Sequence, residues 1–310
     1  MTLASIVSKA CVAQSGEMKL IRIVAVIAAL LSPALDVRAE PPPREPHVGD
    51  AYEITAMRES SQLSSEGSSG SSFDKDTIVE RVIGVRADGL ELEYDLPKDV
   101  TADQRSSDWK FPARVFKPYD GAPQLLNRPE LETRIDAWLK KAKWPRTACG
   151  HWIFTWNAFQ VDCDPQSAIK VIEAFDLRLA NLREGASYQV AGAREPGTLT
   201  TKAAGPEGVT FAVALEVDPD ATRRARAESD VVTGEITRKP VSLETALAER
   251  AKEDVSGTIS ITFDTDAAGE VWRRTTVTKL EIKTPKGRSD TQAVTETVER
   301  RLLSGNAARR

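Results

Sequence analysis

Histidine is nearly missing from this chain: there are two in 310 residues, His47 and His151, and His47 lies just after the prolines at 41–46. The side chain most often used as a general base is therefore scarce. Cysteine is scarce as well, at three residues. No His/Cys cluster has metal-ligand spacing, no glycine-rich loop follows a strand to cradle phosphate, and no Gly-x-Ser-x-Gly elbow occurs. The expectation is a protein without metal or cofactor and without a catalytic signature. No basic block is present, and the net charge is −4. That balance argues against nucleic acid and against an anionic membrane surface as partners.

Long apolar runs are lacking too. The run at 23–31 falls short of the roughly 20 residues that a membrane-spanning helix needs. Lys19 and Arg22 precede it, Ser32 and Pro33 break it, and Val37-Arg38-Ala39 supplies small residues at a cleavage position. This is the pattern of a secretory signal peptide over 18–39, with Met18 as its start and residues 1–17 as a non-native upstream extension. Cys11 precedes the run, so it is not a lipid-anchor cysteine. The expected product begins near Glu40 with a Pro-rich leader (40–47) and is soluble and periplasmic, with no transmembrane segment. Cleavage also removes four basic and two acidic residues, which leaves a net charge of −6.

In an oxidising compartment Cys149 and Cys163 are an even pair, and a disulfide is the default. A reactive thiol beside His151 is the alternative. A base two residues from its nucleophile, with no group to orient it, is poor geometry. A two-residue turn at Asn157-Ala158 would pair Trp152 with Cys163, so the disulfide is expected to need a bulge or a Cys149 that curls back.

What the sequence does contain is an internal resemblance. Gly49, Tyr52, Ile54 and Arg58-Glu59 recur at one offset as Gly185, Tyr188, Val190 and Arg194-Glu195. Turn dipeptides followed by alternating apolar residues occur at 87–97 and again at 206–219, which is hairpin chemistry. A charged loop (98–108; 220–230), a short β-like stretch (113–117; 231–237), a helix (from Pro129; 242–252), a second hairpin (151–163; 257–282) and a final helix then follow in each half. The final helices would carry Ile169, Ile172, Phe175 and Leu179, and Val294, Val298 and Leu302 behind an Asp290 cap. The fold class expected is α+β: two similar modules, 48–183 and 184–304, each an antiparallel sheet of two hairpins plus short strands with two helices on one face. Whether the two sheets join is open at this level. The Ser/Gly tract at 60–72 reads as a mobile loop, and 305–310 as a frayed tail.

Aromatic residues concentrate in one place. Trp138, Trp144, Trp152 and Trp156, four of the six tryptophans, fall in 138–159 with Phe154 and Phe159. On an extended strand Trp152, Phe154 and Trp156 share one face. They could pack on the core, or they could line a pocket or a partner surface. The site expected for a ligand or partner is Trp138, Trp152, Phe154, Trp156 and Phe159. Three functions follow: a non-enzymatic exported protein that binds a hydrophobic ligand or an envelope protein, an envelope hydrolase with a carboxylate pair between the modules, or a purely structural envelope component.

Overall fold

The computed structural model describes residues 45–154, 158–178 and 182–304, apart from the side chains of Phe154, Ala158 and Ser304. The expected signal peptide, the upstream extension and the tail lie outside these residues. The described residues all belong to one compact unit, Glu40–Arg310.

Antiparallel pairing dominates. The first strands are β1 (Ala51–Ser64), β2 (Ser69–Arg86), β3 (Gly89–Asp95), β4 (Ala113–Pro118) and β5 (Gln124–Leu125). The last are β10 (Thr200–Gly205), β11 (Gly208–Glu216), β12 (Asp254–Thr265), β13 (Val271–Lys283) and β14 (Ser289–Ser304). They form one ten-stranded sheet in the order β10-β11-β12-β13-β14-β1-β2-β3-β4-β5. The two sheets expected from the halves are thus a single sheet, joined where β1 pairs with β14 along its whole length. The segment 185–195, which matches β1 in sequence, instead forms the two-residue strand β8 (Ser187–Tyr188), paired with β9 (Gly197–Thr198).

Period-two alternation gives the sheet two different faces. Ile54, Ile78, Leu92, Val115, Val213, Ile261, Phe263 and Val298 point to one face and join a single buried core. The other face carries threonines and ion pairs such as Arg81–Glu93, Arg273–Glu299 and Arg301–Glu53. Helix α2 (Arg128–Ala142) and helix α3 (Ser167–Ala174) lie over the apolar face. In α2, Pro129 opens the first turn, and Leu131, Ile135 and Leu139 form the buried stripe. Lys143, in the left-handed conformation, ends it.

Several expectations are corrected. Residues 290–302 are strand β14, not a helix; Asp290 does not cap one but pairs across to Ile282 and accepts from Arg288 Nε at 3.0 Å. The charged stretch 220–230 and the β-like stretch 231–237 are instead helix α4 (Pro219–Ile236), with Asp218 as N-cap. Most of the loop expected at 98–108 is helix α1 (Ala102–Ser107), started by a capping box between Thr101 and Gln104. The Ser/Gly tract is no loose loop. It extends the β1–β2 hairpin to a turn at 65–68, held by Ser65 N donating to Ser289 O at 2.7 Å. Helix α5 (Leu243–Arg250), capped by Ser242, and the β12–β13 hairpin stand where the sequence pattern places them.

Candidate functional site

The aromatic segment folds as the short hairpin β6 (Trp152–Phe154) and β7 (Ala158–Gln160). Its register pairs Trp152 with Gln160 and Ile153 with Phe159. This corrects the turn expected at Asn157-Ala158, because Ala158 is a strand residue paired with Phe154. Cys149 and Cys163 lie beyond the paired residues, at the open end of the hairpin. As expected, Cys149 curls back ahead of the strand: His151 N donates to Ala148 O at 3.1 Å, and Gly150 (φ 82°) and His151 both face Val161 as a bulge, which lets the disulfide form with a Cα–Cα distance of 5.6 Å. The bond closes the base of the hairpin.

Ile153 and Phe159 pack toward the core, and the neighbouring Val161 is fully buried. Trp152 is half-buried on the opposite face of the hairpin. Trp156 and the side chain of Phe154 lie outside the described residues. Trp138, on α2, meets Trp144 edge-to-face at 5.5 Å, and Trp144 meets Phe159 at 5.6 Å. The structure therefore brings together Trp138 and Phe159 of the expected set, with Trp144 between them.

Trp138 and Phe159 line a cavity of about 610 Å³. Its other walls come from β2 (Ile78), the α1–β4 connection (Trp109 and Phe111) and α3 (Val171 and Phe175). The position of α1 follows from Arg105, which donates to the Leu96 and Pro97 carbonyls at 3.2 and 3.1 Å. The rim is mostly acidic: Asp76, Asp103, Asp108 and Asp162 face a single cation, Lys110. The Lys110 ammonium lies 4.4 Å from the Trp109 ring centre and 3.5 Å from Asp162. Burial alone would raise the pKa of Asp162, but the nearby Ser167 hydroxyl, the Asp164 backbone N–H donating at 3.1 Å and the Lys110 charge outweigh it and lower it. Lys141, bonded at 2.6 Å, lowers the pKa of Asp103. Both carboxyls are thus held in the ionised state, the opposite of what a general acid needs.

Trp109, Phe111 and Phe175 were absent from the site expected from sequence. The first two share one strand-like alternation, Trp109-Lys110-Phe111, just ahead of Pro112, and that spacing was the available signal. Among the described residues, no group of three or more His, Cys, Asp or Glu side chains is arranged to hold a metal ion. No helix among them is long and apolar enough to cross a membrane.

No family model matches the chain, and no curated protein matches it. Among solved structures it is similar to lipovitellin, in a study of lipid–protein interactions, with a TM-score of 0.39 and 10% identity over 86% of this chain. It spans 26% of the lipovitellin chain, about a quarter. It is also similar to Ail, the attachment invasion locus protein of Yersinia pestis, with a TM-score of 0.17 and 3% identity over 82% of this chain and 99% of Ail. Likeness at these scores carries no argument about function, so the reading rests on the cavity.

Proposed function

We propose that this is an exported, non-enzymatic binding protein that takes a hydrophobic ligand into the cavity walled by Trp109, Trp138, Phe159 and Phe175. The observation that carries this reading is the cavity itself. At about 610 Å³ it falls within the range of small-molecule sites, and five aromatic side chains with Ile78, Leu96 and Val171 share its lining with nine polar or charged residues. Export is supported by the pattern at 18–39 and by the disulfide, a bond that persists in oxidising compartments. The carboxylate-hydrolase reading is weaker, because Asp103 and Asp162 at the rim are stabilised as anions. Trp152, half-buried on the outer face of the same hairpin, remains in the proposal as a contact for a protein partner, and Phe154 and Trp156 stay with it on the sequence pattern alone.

The test uses N-phenyl-1-naphthylamine, a neutral apolar fluorophore. Saturable enhancement at one site per chain is expected. Val171→Trp, which fills the cavity from a half-buried position on α3, should weaken binding at least tenfold while the far-ultraviolet circular dichroism stays that of the wild type. Linear, non-saturable partitioning of the dye into wild-type protein would remove the reading. Export is checked by sequencing the N-terminus of the secreted chain, which should begin at Glu40.

A further inference from the structure

Trp109 differs from the other tryptophans with described side chains. It is 4% exposed, whereas Trp138, Trp144 and Trp152 are half-buried and Trp272 is exposed. A buried indole N–H ordinarily has an acceptor. Among the described residues none takes the Trp109 N–H: the bonds around it run from Asp108 N to Arg105 O and from Lys110 N to Asp108 Oδ1, both outside its ring. The described side-chain polar atoms that are fully enclosed without a partner belong to Ser167, Arg178, Arg273 and Arg300. The Trp109 nitrogen is not one of them, so it belongs to the small part of this residue that stays accessible. Trp109 is a wall of the cavity, and that accessible part faces it.

The segment is held in place on both sides. Asp108 fixes Lys110 N at 3.1 Å, and the Pro112 carbonyl accepts from Asn127 Nδ2 at 3.1 Å and from Arg134 at 2.8 Å. The Lys110 ammonium, 4.4 Å from the Trp109 ring centre, draws electron density from the indole and strengthens its N–H as a donor. The rim then sets the charge of what can enter. Asp76, Asp103, Asp108 and Asp162 outnumber Lys110, with Lys141 on Asp103, and the negative surplus disfavours an anion. An ammonium ion brings no acceptor for the indole.

We propose that the cavity selects apolar molecules that carry one neutral carbonyl, of a ketone or an ester. The carbonyl oxygen accepts from the Trp109 N–H, and the apolar remainder lies against Phe111, Trp138, Phe159 and Phe175. A pure hydrocarbon fills the same space but leaves the donor buried and unpaired, which is the costlier state. Trp109 is thus the residue that determines specificity. This inference rests on the hydrophobic-ligand reading above and adds the one polar group the ligand must have.

The experiment displaces bound N-phenyl-1-naphthylamine from the full protein with cyclooctanone, cyclooctane, cyclooctanecarboxylate or cyclooctylammonium, which share one ring. With each affinity referred to the compound's partition from water into hexadecane, the ketone should bind about tenfold better than the hydrocarbon. The two ions should bind most weakly. In nuclear magnetic resonance spectra of the protein labelled with ¹⁵N-tryptophan, the Trp109 indole proton, assigned through its contact with Lys110, should move downfield with cyclooctanone and stay in place with cyclooctane. Trp109→Phe, which keeps a ring and removes the N–H, should bring the ketone-to-hydrocarbon ratio close to one; if that variant does not fold, the wild-type indole shift decides. Equal referred affinities, an indole proton unmoved by the ketone, tightest binding of either ion, or a ketone preference that survives in folded Trp109→Phe would each overturn this inference and leave the hydrophobic-ligand reading intact. Failure of the dye itself to bind wild-type protein would remove both.

Discussion

Glu80 carries a charge where the sheet is otherwise apolar. Its side chain is 3% exposed and accepts from Arg178 at 2.8 Å, Arg300 at 3.0 Å and the Tyr94 hydroxyl at 3.0 Å. Arg300 also lies over the Tyr52 ring at 3.5 Å. Burial by itself would raise the pKa of Glu80. The charges of Arg178 and Arg300 and the two hydrogen bonds outweigh it and lower the value from 4.5 to about 2. A depressed folded-state pKa gives stability that is present above the unfolded value and lost as pH falls. The wild-type protein should therefore lose about 3 kcal/mol from this group between pH 5 and pH 2. Glu80→Gln should remove that part of the pH dependence. At pH 7 it should cost about 3–5 kcal/mol, because it leaves two guanidiniums buried without their anion. Urea unfolding of both proteins at pH 7, 4 and 2.5 measures each effect; equal slopes against pH would contradict the assignment.

Among the elements, the α4–α5 pair is held differently from the rest. Its buried residues are Ala227, Gly234 and Ala246, a thin apolar contact. Charge supplies the remainder: Glu253, 5% exposed, bonds Arg226 at 3.0 Å and Arg250 at 2.5 Å, and Arg250 bonds Asp230 at 2.6 Å. Amide exchange should be faster in α4 and α5 than in β12 to β14, and 0.5 M salt should speed it in the helices alone. Glu253→Gln should raise exchange there with little effect on the central strands. The β6–β7 hairpin depends on its disulfide instead. Replacing Cys149 and Cys163 by serine should cost roughly 3 kcal/mol. It should also weaken the near-ultraviolet circular dichroism of the Trp138–Trp144–Phe159 stack and lower dye affinity.

The same elements show what the sequence made legible. Helix α2 and the β12–β13 hairpin were readable because their capping and turn residues agree with their apolar spacing. Strand β14 was not. Val294, Val298 and Leu302 repeat every four residues, a spacing that fits one face of a helix and, being even, one face of a strand equally well. The threonines at 291, 295 and 297 were the discriminating signal, since β-branched residues favour the strand. The Ser/Gly tract was misleading for another reason. Its order comes from pairing with β14 on the other side, as Leu63 with Thr291 and Ser64 with Asp290, and no local pattern encodes that. At the site, Trp138 and Phe159 were visible as an aromatic cluster.

For the whole molecule, the pairing of β1 with β14 decides how the halves depend on each other. These strands come from opposite ends of the described chain and lie at the centre of the sheet, so neither half closes without the other. Each also supplies side chains to the common core, Ile54 from one and Val298 from the other. Two independent modules would unfold at two denaturant concentrations, whereas this arrangement calls for one. Thr297 is a sensitive point: it is buried on β14, opposite Met57 on one side and Thr275 on the other. Proline there removes a backbone donor from a central strand, where proline is not accommodated. If the sheet is the cooperative unit, Thr297→Pro should abolish protection in β3 and β4 as completely as in β12 and β13, as hydrogen-exchange mass spectrometry reads it. Survival of protected β2–β4 peptides in that variant would show that the first half folds alone. The β1–β14 seam would then join two modules that fold separately.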